Sequence, residues 1–133
     1  MSASDSFGKL ILRLSVGGLL LFHGVAKLLD PASLNWITSE VTRLGLPPEV
    51  AYGVYAGEIL GPVLIIIGLL TRIGALMIVV HMLAAFFLVH MDELMSINQF
   101  GGWQPELQGL FLFGALAIMF MGSGRYAALP DRF

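Results

Sequence analysis

The stretch VAYGVYAGEILGPVLIIIGLL, residues 50–70, decides the fold. Glu58 is its only formally charged residue, and Leu, Ile and Val fill most of the rest. As a helix at 1.5 Å per residue it is long enough to cross about 30 Å of hydrocarbon. Three further apolar stretches, residues 10–29, 73–91 and 107–122, read the same way. A barrel strand would need only about 9–11 residues with alternating polarity, and no such alternation appears. The expected fold is therefore all-α: an integral membrane, antiparallel four-helix bundle forming a single domain over residues 1–133.

Composition agrees with this reading. The chain has 133 residues, of which 57% are hydrophobic and 12% charged, with a mean hydropathy of +0.86. Soluble domains average about 25% charged residues, because their surface must be solvated. Seven Lys and Arg with a net charge of −2 argue against a nucleic-acid partner. The lack of cysteine excludes disulfides, thiol redox chemistry and thiolate metal sites in this chain, and no metal site is expected. Lys9, Arg13 and the small-x-small run Gly24-Val25-Ala26 imitate a signal peptide, but the apolar run continues through Leu28 and Leu29, so a span is expected instead.

The connections differ in length. Residues 30–49 place Trp36, Ile37, Val41 and Leu44 broadly on one side of a helix, which predicts a short interfacial helix ended by Gly45 and Pro47-Pro48. Thr71-Arg72 reads as a tight hairpin between neighbouring spans. Residues 92–106, with Gly101-Gly102-Trp103 and Pro105, read as a loop with an aromatic at headgroup depth. Lys9, Arg13, Arg72, Arg125 and Arg132 fall on the side shared by both termini. By the positive-inside rule the termini are cytoplasmic, with Arg13, Arg72 and Arg125 as topology anchors.

Ionisable groups in hydrocarbon cost at least about 2.5–3.5 kcal/mol and normally face a partner inside the bundle. Glu58 lies roughly 12 Å inside the second span. Lys27 stands near the same end of the first span, with His23 one turn deeper, and His81 falls near the middle of the third. Shared depth predicts that Glu58 faces inward near Lys27 and His23, with His81 on the floor of the same cleft. Tyr55, one turn before Glu58, is placed to donate to its carboxylate. His90, nine residues beyond His81, should point the opposite way on a regular helix. Gly17 and Gly24 share a stripe with Arg13, Leu20 and Lys27, while Gly53, Gly57 and Gly61 recur every fourth residue; both sets are expected at helix contacts. The plainer alternatives stay open. Lys27 can snorkel to the interface, His81 can bond a backbone carbonyl, and Glu58 can belong to a purely structural pair.

In their order and spacing, several motifs together resemble the DoxX family of small four-helix membrane proteins. They are Arg13 with Phe22-His23-Gly24-x-x-Lys27-Leu28, Gly57-Glu58-x-x-Gly61, Gly68-Leu69-Leu70-Thr71-Arg72 and Gly122-Ser123-Gly124-Arg125-Tyr126. The tail, Ala127-Ala128-Leu129-Pro130-Asp131, departs from the usual Ser-Leu-Asp ending of the family. The resemblance implies a multi-pass protein of the bacterial or archaeal plasma (inner) membrane, associated with quinol or sulfur-compound oxidation. It supplies no catalytic residue.

Three functions compete at this point. A redox-associated subunit would hold a quinone, apolar with two carbonyls, among His23, Lys27, Glu58 and His81, and would pass electrons to another subunit. A structural or assembly subunit would need only the glycine seams and short loops. A small proton-coupled transporter would use Glu58, although no inverted repeat is visible. A b-type haem between His23 and His81 fits less well than a quinone, since isolated histidines are common in membrane helices. Partners expected beyond the lipid bilayer are a second copy of the chain or other membrane subunits.

Overall fold

The computed structural model of the chain describes residues 2–131. Among these the fold is all-α, and the only extended pairing is an isolated bridge between Ile97 and Trp103. Five helical segments follow in order: α1 (Ala3–Leu29), α2 (Pro31–Arg43), α3 (Pro48–Ile67), α4 (Thr71–Glu93) and α5 (Glu106–Met121). Of these, α1, α3 and α4 are long and apolar enough to cross a membrane, and α5 is apolar but shorter.

Local chemistry sets the boundaries. α1 starts well before its apolar run because Ser2 caps it, accepting the Asp5 N–H at 3.0 Å, and Asp5 suits the positive end of the helix dipole. Asp30 stops α1 and caps α2, accepting the Ala32 N–H at 3.1 Å with Pro31 in the first turn. The turn between α3 and α4 lies earlier than the expected Thr71-Arg72. Gly68 adopts a left-handed conformation (φ +77°), and its N–H and that of Leu69 both return to the Leu64 carbonyl. This ends α3 at Ile67, so Thr71 and Arg72 open α4 instead.

α1 packs against α3 and α5, α4 packs against the same two helices, and α2 leans on the start of α3. Their common core includes Val16, Leu20, Ile65, Ala75, Ile78, Phe111, Ala115 and Ile118. Four of the five glycines expected at contacts are there. A Cβ on Gly17 would meet Ile66, on Gly24 the Glu58 backbone, on Gly57 the His81 side chain and on Gly61 the Gly74 carbonyl. Gly53 is different, with nothing within 4 Å of its would-be Cβ. Trp103, read as a headgroup aromatic, stacks on Phe86 with centroids 5.8 Å apart and donates to the Leu94 carbonyl.

Arg13 is more than an anchor at a helix end. It is 1% exposed, and its guanidinium donates to the carbonyls of Ile65 (2.8 Å), Ile66 (3.2 Å), Ser123 (3.0 Å) and Tyr126 (2.7 Å). The last four carbonyls of a helix have no partner within it. Here Leu64 O takes the turn amides, Ile65 O and Ile66 O take Arg13, and Ile67 O takes the Ala128 N–H. The chain after α5 thus folds back to finish α3. Asp131 holds this tail in place, accepting the Ser123 N–H at 3.0 Å and lying 3.7 Å from Arg72 Nε. Arg125 is exposed in the same tail.

Candidate functional site

The site begins with Pro62. Proline has no N–H to give to the carbonyl four residues back, and its ring crowds that carbonyl, which belongs to Glu58. The helix responds by widening: residues Ala56–Leu60 form a π turn, and the Gly61 N–H reaches back to Ala56 O. The freed Glu58 carbonyl faces α1 where Gly24 leaves room, since a Cβ there would sit 2.2 Å from that oxygen. Close approach at Gly24 brings Lys27, one turn further along α1, beside the Glu58 side chain.

Glu58 is 4% exposed, and both of its carboxylate oxygens are engaged. Lys27 Nζ donates to Oε1 at 2.5 Å, and His81 Nε2 meets Oε2 at 2.5 Å. A carboxylate only accepts, so wherever Glu58 is ionised the His81 Nε2 must carry the hydrogen of this contact. Gly57 permits the imidazole to lie this close, because a Cβ there would meet His81 Cβ at 2.2 Å. Three helices thereby contribute one side chain each to a single polar cluster.

The cluster lies in the wall of a cavity of about 730 Å³, within the range of small-molecule sites. Most of the lining is apolar. α2 closes one side with Trp36, Ile37 and Val41, and α5 contributes Phe111 and Gln108. His23 lines the cavity from α1, its ring set edge-on to Phe111 at 5.8 Å rather than bonded to Glu58. Tyr55 is not brought to the carboxylate; its ring lies 6.2 Å from that of Tyr52. The π turn that begins just after Tyr55 rotates Glu58 away from the face the two would share on a regular helix.

His90 departs from expectation for the same reason. Residues Phe86–His90 form a second π turn. A π turn takes in about one extra residue, so His90 falls roughly a quarter turn from His81 instead of opposite it. Both histidines line the cavity, and His90 Nδ1 is 2.8 Å from Glu93. Gln108, α2 and both π turns were not singled out from the sequence as parts of a site. Pro62, four residues after a buried acid, was the one available signal for the first π turn. A haem bridging His23 and His81 through Nε2 would have to break the contact of His81 with Glu58. Among the described residues no group of three or more His, Asp or Glu is placed to hold a metal ion.

Apolar helices of this length around a Lys–Glu–His cluster with a buried carboxylate define a small α-helical membrane protein with a ligand-sized cavity. The chain belongs to the DoxX family, whose model matches residues 8–91. It is 30% identical over 129 residues to a Bacillus subtilis (strain 168) protein named "Putative oxidoreductase CatD", covering 97% of this chain and 89% of that one. It is 34% identical over 126 residues to an uncharacterized protein of Haemophilus influenzae, covering 92% and 87% respectively. No solved structure matches the chain.

Proposed function

We propose that this chain is a redox-associated membrane subunit that holds a quinol at the Lys27–Glu58–His81 cluster, where a partner subunit takes up its two electrons and leaves the quinone. The carrying observation is a buried carboxylate gripped on both oxygens in the wall of an otherwise apolar cavity. Such a site offers an ammonium donor and a histidine ring nitrogen to a flat ring with two carbonyl or hydroxyl oxygens, and apolar walls to the rest. The name of the Bacillus relative points the same way.

In this reading residues 1–133 are one membrane domain, an antiparallel bundle of α1, α3, α4 and α5 with α2 along the outer surface. Both termini face the cytoplasm of a bacterial or archaeal cell, and the lipid-facing grooves suit a second copy or another subunit. A transporter is disfavoured because no inverted repeat is visible in the sequence. One observation favours a structural role instead: protein groups already satisfy both Glu58 oxygens.

Solvent extraction and an optical spectrum of the purified protein test the proposal. A quinone should be recovered from the native chain and lost from Glu58→Gln at unchanged folding. A colourless protein that yields and binds no quinone would leave only the structural reading. Reporter fusions at the C-terminus and within residues 92–106 test orientation, and an external C-terminus would overturn it.

A further inference from the structure

The cavity does not end at the polar cluster. One face of α4 (Ile73, Leu76, Met77 and Val80, at helical spacing) lines it from His81 back toward the α3–α4 turn. His81 to Ile73 spans about 12 Å along the helix. Ile73, Leu76 and Val80 are at the same time 52%, 47% and 59% exposed, so this arm is a trough open along its side. Its opening lies on an apolar face of a helix that is long enough to span the bilayer. Hydrocarbon, not water, is therefore the medium at its mouth.

Charge narrows the ligand further. Lys27 is the only Lys or Arg in the lining, and it is engaged with Glu58. The cluster offers no spare positive charge to a phosphate and no spare carboxylate to an ammonium group. What it offers is hydrogen bonding at an almost neutral point partway along an apolar trough.

We propose that the occupant is an amphiphile with an uncharged, oxygen-bearing head at Lys27 and His81 and a hydrocarbon tail along the Ile73–Val80 face of α4, entering sideways from the bilayer. This rests on the reading of the cluster as a head-group site and adds the route and the tail. Phospholipids are excluded as the preferred ligand by the missing charge. Gly57 acts as a positioning residue, since it lets His81 lie against α3 at the junction of head site and trough.

The test uses the full chain in nanodiscs of phosphatidylcholine with a benzoquinone that carries a decyl tail ending in a diazirine. After irradiation, mass spectrometry maps the adducts. They should concentrate on Ile73, Leu76 and Met77 and disappear in Glu58→Gln. Val80→Trp, on the lipid-exposed rim, should cut their yield about tenfold, as a steric block costing about 1.4 kcal/mol would. Leu76→Trp serves as a second block should the first variant fold poorly. Adducts that depend on Glu58 but fall on Trp36, Val50 or Val89 would overturn the tail route and leave the head site standing. Adducts scattered over every lipid-facing helix and unchanged in Glu58→Gln would overturn both.

Discussion

Among the described residues two charged side chains are buried, Arg13 and Glu58, and the protein neutralises them in opposite ways. Arg13 is surrounded by backbone. Its donors close the carbonyl end of α3 and bind the tail after α5. Glu58 is surrounded by side chains that can move or change partner, in the wall of a cavity. A guanidinium locked onto carbonyls has one satisfactory arrangement. A carboxylate shared by an ammonium and an imidazole is held by side chains alone. The first region ties the fold together, and the second is the one to which the proposed function assigns a ligand.

The comparison breaks first at Arg13. Arg13→Ala strands two carbonyls of α3 and frees the tail, and it should destabilise the protein by about 3–5 kcal/mol, the range for uncovering buried polar partners. Thermal melting in detergent reads this directly. An Arg13→Ala protein that melts with the native chain would show the clamp to be ornamental.

Gly24→Ala and Gly57→Ala come next. Each adds a methyl that collides with the Glu58 backbone or the His81 ring, and overpacking of this kind costs about 1–3 kcal/mol. Both should also lose quinone binding, because they separate the members of the cluster. Comparing melting with bound quinone across the two variants sharpens the division between frame and site. The smallest effect belongs to Gly53→Ala, within about 0.5 kcal/mol, since no atom lies within 4 Å of the new methyl. A large loss there would mean that this glycine packs against something beyond the chain itself.

The sequence showed the two regions unequally. Long apolar runs announce spans, and a carboxylate deep within one demands partners at the same depth, which is how Lys27 and His81 came to be associated with Glu58. Arg13 gave no comparable signal. A basic residue near a helix end reads as an interfacial anchor, and its four carbonyl partners, on Ile65, Ile66, Ser123 and Tyr126, all lie at least 52 residues away in sequence. The faces of His90 and Tyr55 were misjudged because both estimates assumed a regular helix. Phe86–His90 carries no proline or glycine to mark its π turn. The part played by α2 in closing the cavity is likewise a tertiary fact, although the apolar side of Trp36, Ile37 and Val41 was visible.

The central claim is that Glu58 and Lys27 serve a ligand and are not needed to hold the fold. The double replacement Lys27→Met/Glu58→Leu tests it most directly, because an apolar pair of similar volume commonly matches or exceeds a buried ion pair in stability. The measurement is melting temperature and quinone binding on one preparation, beside the native chain. The account predicts a melting temperature equal to or above the native value, with binding abolished. Binding at native strength in a double variant that melts normally would contradict it.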